Sequence, residues 1–387
     1  MMSVTNVFQT TPRIVMGEGS ISHIVDEINK LGCRKVFIVT DAGLVDAGIV
    51  GQLEDILKSG DVVYSRYDKV EPDPRLEIAL NATDALMESG ADLVIGIGGG
   101  SAIDIAKIAA VLVTNDGSLA DFFGIDLIPK PGIKTIIIPT TAGTGSEVTP
   151  IVILSDEKEK LKKGVVSPYL FPHLAVLDSG LTLGLPPHVT AATGMDSLIH
   201  AIEAFTSKNA YWMTDMMARE AIRLIIGNIR TSFANGSDLG ARTHMLKGSL
   251  LAGMAFANAG VTAVHAFAYP IGAEFHIPHG VANSIMLAPV MEFNMLGNIN
   301  KFAELSELLG ENTQGMSLRE KAMAAVESIR MLSKDLQIPD NLSQFGIKDS
   351  DIPMLADGVM KVTRLLANNP RTLTKEDAEK IYRNVLS

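Results

Sequence analysis

At 387 residues, 47% hydrophobic and 20% charged, the chain is long enough for two domains with separate cores and too apolar to be disordered. Its net charge of −11 argues against nucleic acid or an anionic membrane as partner, because both require basic patches. The single cysteine, Cys33, excludes an intramolecular disulfide, and the sequence has neither a signal segment nor an apolar run of bilayer length. The expectation is a soluble cytoplasmic protein.

Residues 1 to about 180 alternate short Val/Ile-rich runs with helical patterns. KVFIVTD (35–41), ADLVIGIGGG (91–100), KTIIIPTT (134–141) and HLAVLD (173–178) read as strands covered on both faces. GSISHIVDEINKLG, RLEIALNATDALMESG and SAIDIAKIAAVLVTN lie between them with helical periodicity. This alternation predicts βαβ units, that is, an α/β domain with a doubly wound parallel sheet.

Two loops at strand ends carry the chemistry of this half. In Gly96 to Ser101, glycines let a phosphate approach the backbone, and the following helix offers free N–H groups. Ser101 with Asp104 three residues on resembles a capping box. The second loop, Pro139 to Glu147, offers hydroxyls and amides but no large side chain to block a ligand. Open α/β sheets bind ligands in that crevice. Gly98, Gly99, Gly100, Ser101, Asp104, Thr140, Thr141, Thr144 and Ser146 are therefore candidate cofactor residues. Asp41 ends a strand, where a carboxylate suits an adenosine ribose and disfavours a 2′-phosphate, although position alone fits a turn residue better. The DEKEKLKK run (156–163) reads as a solvated turn from which Lys162 reaches toward a cofactor.

At LTLGLPPHVT the pattern changes, and Pro186 and Pro187 mark a boundary between domains at 1–183 and 184–387. Helical patterns follow at 190–206, 210–234, 240–268, 281–296, 300–310, 316–335 and 374–386. The second domain reads as all-α.

Asp196 and His200 project from one helix face, four residues apart. His265 and His279 bracket a segment broken by Pro270, Gly272, Pro278 and Gly280. Four of the eight histidines (His200, His265, His276 and His279) fall in two stretches otherwise rich in Ala, Gly, Ile and Phe. Ionisable groups there are costly to bury unless paired or metal-bound. A carboxylate with three imidazoles suits Fe(II) or Zn(II).

GGGSAIDIAK (98–107), PTTAGTGSEVT (139–149), LPPHVTAATGMDSLIHAIEAF (185–205) and HAFAYPIGAEFHIPHGVANSIM (265–286) together resemble the iron-containing (group III) alcohol dehydrogenase family. The resemblance runs from about Phe8 to the C-terminus. It implies an N-terminal dinucleotide-binding domain and a helical metal-binding domain, the dehydroquinate synthase-like fold. It implies metal ligation by Asp196, His200, His265 and His279. It also implies NAD contacts at Asp41, Gly99, Gly100, Ser101, Thr140, Thr144 and Lys162. Phe256 matches an aromatic position beside the substrate pocket of some members, and His276 is expected near the site but outside the ligand set. Many members carry a second histidine four residues after His265, proposed to relay protons; here Tyr269 stands there. A phenol, with an ordinary pKa near 10, is poorly placed for that task at neutral pH. His276, a ribose hydroxyl or a different substrate are the alternatives.

The function so implied is reversible hydride transfer between NAD and a small primary alcohol or diol, with Fe(II), or Zn(II), as Lewis acid. The substrate partner is a small alcohol or aldehyde, and the family implies a homodimer. A non-redox lyase of the dehydroquinate-synthase type is the nearer rival, although the motif segments hold almost no basic residues for a phosphorylated substrate. A metal-binding hydrolase is the remote one.

Overall fold

In the computed structural model, residues 5–157 and 161–386 are described, and they divide into two compact units. Thr10–Leu185 form one, and Pro186 onward, with the described residues before Thr10, form the other.

The first unit is built on a six-stranded, wholly parallel sheet: β1 (Ile14–Met16), β2 (Lys35–Val39), β3 (Val63–Tyr67), β4 (Leu93–Gly98), β6 (Lys134–Pro139) and β9 (Leu174–Leu177), in the order β1-β9-β6-β4-β2-β3. Strand side chains alternate between faces, and here both faces are buried. Phe37, Val39, Val94 and Ile137 enter one core; Val36, Ile38, Leu93, Ile95, Ile136 and Ile138 enter the other. That explains why the runs read as continuously apolar.

Helices α1 (Ile24–Leu31) and α3 (Ile49–Ser59) cover the second core, whereas α4 (Leu76–Ser89) and α5 (Gly100–Leu112) cover the first. The change of face follows β3: the chain returns past β2 to form β4, and the next strands are laid down on the other side. The carboxyl ends of β2 and β4 are therefore a topological switch point, where a doubly wound sheet leaves a crevice. Asp41 follows one of these ends and Gly99 the other.

A smaller sheet of β5 (Gly124–Ile125), β7 (Ile151–Asp156) and β8 (Leu161–Val166) has no counterpart among the strands expected from sequence. Its β7 and β8 run antiparallel through part of the stretch predicted to be a solvated turn. Charge hides β8, whose Lys162 and Lys163 belong to that stretch, whereas β7 (IVILSD) is apolar up to Asp156; Asp156 and Lys163 form a diagonal ion pair at 2.9 Å. Residues 158–160 of that stretch lie outside the described residues. A further correction concerns Asp41: β2 stops at Val39, and Asp41 caps a short helix, α2 (Ala42–Asp46), accepting from the Leu44 N–H at 3.1 Å.

Among the described residues the second unit has helices and no strand. Its core contains α6 (Pro187–Thr206), α7 (Trp212–Ala234), α8 (Leu239–Ala259), α9 (Ala263–Phe275) and α10 (His279–Asn294). It continues through α11 (Ile299–Leu308), α12 (Leu318–Asp335), α13 (Ile352–Lys361), α14 (Thr363–Asn368) and α15 (Lys375–Arg383). The helix expected over 240–268 is two helices, α8 and α9, meeting at 101°. The apolar pattern runs through the break because both arms are buried. The break gives α9 a free N-terminus inside the unit, and the site uses it. No single helix among the described residues is long and apolar enough to cross a membrane.

A candidate metal centre and two candidate cofactor loops

The helical period of α6 puts Asp196, His200 and Glu203 on one face, all buried among Ala, Ile, Met and Leu. Helix α9 contributes His265 from its first turn, and α10 begins at His279. Gly280 lets these elements approach: a Cβ there would lie 2.4 Å from the Ala192 carbonyl oxygen of α6.

Asp196, His265 and His279 each offer a ligand atom, all within 4.8 Å of one another. Nε2 of His265 and of His279 stand 3.8 Å from Asp196 Oδ1. His200 lies outside this tightest group but adjoins it, its Nε2 3.0 Å from His265 Nε2 and its Nδ1 4.0 Å from Asp196 Oδ2. Two atoms that each lie about 2.1 Å from a tetrahedral ion stand roughly 3.4 Å apart. The observed spacings bracket that value, and Fe(II) or Zn(II) accepts this donor set. Burial alone would push the Asp196 carboxyl up, but His200, His279 and His265, with the Asn283 amide, outweigh it and hold it down at about 2. Asp196 is thus an anion at neutral pH, as a ligand must be.

Glu203 is a functional residue that the sequence reading does not single out. It is 0% exposed and accepts from the Thr262 hydroxyl (2.5 Å), the Val264 N–H (2.8 Å) and His265 Nδ1 (2.5 Å). It therefore caps the N-terminus of α9, satisfying an N–H with no partner inside the helix. It also fixes a proton on His265 Nδ1, leaving Nε2 as the lone-pair nitrogen that faces Asp196. Burial lowers the His265 imidazolium, yet the Glu203 charge and hydrogen bond, with Asp196, carry it above its ordinary value. The signal is present in the sequence, because Glu203 follows His200 by three on the same apolar helix face. Asn283 is a second such residue; its Nδ2 donates to Asp196 Oδ1 (2.8 Å) and lies 3.1 Å from His279 Nε2.

Phe256 stacks on His200, ring centroids 4.3 Å apart, and the Tyr269 ring lies 6.0 Å from that of His279. His276 is different: it is the exposed C-cap of α9, in the left-handed conformation with φ 54°. Its ring is on the surface because the turn that delivers His279 begins at its backbone.

In the α/β unit, β4 and β6 run in register until Gly98 faces Pro139, and the Thr140 N–H still donates to the Gly98 carbonyl at 3.0 Å. The two predicted loops therefore start side by side. Gly100 permits their contact, since a Cβ there would lie 2.6 Å from Thr144 Cγ2. Gly99, Gly100, Ser101, Thr141 and Thr144 are all partly exposed, and Thr140 is buried. Helix α5 is capped by the Gly99 backbone, and the capping box read into Ser101 and Asp104 does not form. Asp104 instead accepts from Ser146 Oγ (2.5 Å) and the Ile153 N–H (2.9 Å), so both side chains serve the scaffold beneath the loops. On β8, Lys162 pairs with Asp73 at 2.5 Å.

Residues 11–179 match the family described as iron-containing alcohol dehydrogenase, and residues 190–386 its C-terminal part, described as Fe-containing alcohol dehydrogenase family, C-terminal. The chain is 41% identical to sulfoacetaldehyde reductase of Bilophila wadsworthia (strain 3_1_6), over 96% of each chain. It superposes on the crystal structure of a 1,3-propanediol oxidoreductase with TM-score 0.96 at 36% identity, covering 99% of this chain and 100% of that one. It also superposes on sulfoacetaldehyde reductase from Bifidobacterium kashiwanohense in complex with NAD+, with TM-score 0.88 at 28% identity over the whole of both chains. A parallel-sheet unit, a helical unit, and matches that span nearly all of both leave one conclusion: the chain belongs to the iron-containing alcohol dehydrogenase family.

Proposed function

We propose that this chain is an iron- and NAD-dependent alcohol dehydrogenase that interconverts a small primary alcohol or diol with its aldehyde. The observation that carries the reading is the convergence of Asp196, His265 and His279 within 4.8 Å, with His200 alongside, in a chain of this family. These four residues hold the metal. Bound iron supplies Lewis acidity toward the substrate oxygen, and bound NAD exchanges the hydride. Glu203 keeps the proton on His265 Nδ1 and so orients the ring, and Phe256 lies flat on His200 and screens it from water. Tyr269 replaces His276 as the candidate for moving the proton, because its ring lies beside His279 while His276 is turned to the surface.

The dinucleotide occupies the loops at Gly98 to Ser101 and Thr140 to Thr144. Asp41 lies at the same switch point: a Cβ on Gly98 would lie 3.7 Å from its Oδ2. That carboxylate favours NAD over NADP by disfavouring a 2′-phosphate. Lys162 joins the site by exchanging its Asp73 partner for the ligand. The enzyme is cytoplasmic, in keeping with the unbridged, buried Cys33, and dimerises through the edge strand β1, whose outer side has no partner strand among the described residues.

The test strips the metal, restores Fe(II), Zn(II) or nothing under anaerobic conditions, and follows NADH oxidation with short aldehydes. The panel includes sulfoacetaldehyde, for the relative named after it, and 3-hydroxypropanal, the aldehyde of 1,3-propanediol. Turnover restored by Fe(II) supports the reading. NADH binding without turnover of any aldehyde under any metal would favour the non-redox lyase.

A further inference from the structure

Lys107 sits in the middle of α5, 1% exposed, among alanines and isoleucines. A buried ammonium is tolerated only when its protons are all accepted. Here Nζ donates toward the carbonyl oxygens of Ser146 (3.0 Å), Thr149 (2.8 Å) and Ile151 (2.8 Å), with the Ser146 and Thr149 hydroxyls at 3.2 and 3.3 Å. The Ser146 and Thr149 acceptors lie in the connection from β6 to β7 that carries Thr140, Thr141 and Thr144, and Ile151 is the first residue of β7 itself. Gly100, Asp104 and Lys107 follow one another at four and three residues and so share one helix face. The first meets Thr144, the second takes Ser146 Oγ and the Ile153 N–H, and the third gathers the three carbonyls. Burial lowers the ammonium to about 8, with Asp104 and Glu147 opposing that fall, so it remains charged at neutral pH.

We infer that Lys107 is a positioning residue for the cofactor: its ammonium clamps the β6–β7 connection onto α5 and thereby sets the separation of the two loops that receive the dinucleotide. Packing alone would be served by Leu or Met, neither of which can bind three carbonyls that point at one spot. The clamp rests on the assignment of these loops to NAD. It acts at a distance from the ligand, for Lys107 lies two turns along α5 from Gly100.

The experiment compares the iron-loaded wild-type chain with Lys107→Met. It reads NADH affinity by fluorescence, amide exchange over 140–151, melting temperature, and KM for NADH against kcat. The clamp predicts a loss of NADH affinity of about tenfold or more, since the loops are no longer held in their bound arrangement. It also predicts faster exchange confined to 140–151, a KM effect larger than the kcat effect, and unchanged iron content. A K107M protein that melts lower but binds NADH as wild type does, with unchanged exchange in 140–151, overturns it. Should K107M not fold, the milder Thr149→Val variant removes one hydroxyl acceptor of Lys107 and leaves the Ser146–Asp104 hydrogen bond in place. A smaller shift of affinity and exchange in the same direction upholds the clamp, and wild-type values overturn it. Wild-type protein that bound no NADH at all would sink the assignment of the loops first, and the clamp with it.

Discussion

Asp196 in the helical unit and Glu147 in the α/β unit are both almost fully buried, 3% and 1% exposed, and they sit at opposite ends of the carboxylate range. Asp196 is held at about 2 because its neighbours are imidazoles and an amide. Glu147 is pushed up to about 7 by burial, against which a backbone hydrogen bond and the Lys107 charge achieve little. Burial is the same in both; the neighbours decide the sign. The helical unit gathers side-chain charge at one point to hold a cation. The α/β unit does the reverse, keeping its loops small and backbone-lined and placing its buried charges underneath as scaffold.

That contrast breaks most visibly at a ligand. Replacing His265 with Ala should remove both a donor nitrogen and the partner of Glu203, leaving a buried carboxylate with one fewer hydrogen bond. Iron content by metal analysis should fall to background, and kcat/KM should drop by about 10³-fold or more. NADH affinity should hardly change, since the loops proposed for the cofactor belong to the other unit. A metal-free H265A enzyme with full activity would end the metal model. Next in size is Glu203→Gln, which keeps the shape but removes the charge. Chelator competition should show metal affinity weakened by roughly 10- to 100-fold, as is usual for a partner of a ligating histidine. An unchanged affinity would reduce Glu203 to a helix cap.

The same contrast explains what the sequence discloses. The proposed donors betray themselves by type: Asp196, His200, His265 and His279 are ionisable groups in apolar stretches, and the helical period places the first pair on one face. Glu203 meets the same criterion but escapes notice because it carries no ligand motif of its own. Four strands of the main sheet (β2, β4, β6 and β9) are legible from Val/Ile runs; β3, VYSRY, is not, and the switch point depends on its place beyond β2. What stays hidden depends on distant contacts. β8 looks like a charged turn until Lys163 is seen to pair with Asp156 at the end of β7. The bend between α8 and α9 is invisible in an apolar pattern that continues across it. Asp104 and Ser146 read as residues on the ligand side of the loops, whereas their partners are each other and β7.

A site lined by backbone should respond to bulk, not charge. Gly100→Val would set a side chain against Thr144, which already lies 2.6 Å from where a Cβ would be. KM for NADH should rise by about tenfold, a cost on the order of 1.4 kcal/mol in cofactor binding, while iron content stays at the wild-type level. A wild-type KM would mean that the loops part freely and that Gly100 is there only for the turn.

The last effect, one on stability alone, concerns the carboxyl that opened the comparison. Glu147 has a folded-state value of about 7, above the ordinary 4.5, so the native protein binds that proton more tightly than the unfolded chain does. Its contribution to stability is therefore complete below about pH 4.5 and is lost as pH rises through about 7. The full linkage amounts to on the order of 3 kcal/mol at most, because each tenfold gain in proton affinity is worth about 1.4 kcal/mol. Glu147→Gln cannot ionise and should flatten the dependence. Melting temperatures of the α/β unit taken between pH 5 and 8 should fall for wild type and stay level for E147Q, with the two proteins similar at pH 5 and E147Q the more stable at pH 8. Asp196 cannot produce such a slope in this window, since its ionisation is complete well below it. Parallel curves for the two proteins would show that Glu147 is ionised in the native state, and that Lys107 neutralises it more fully than its burial suggests.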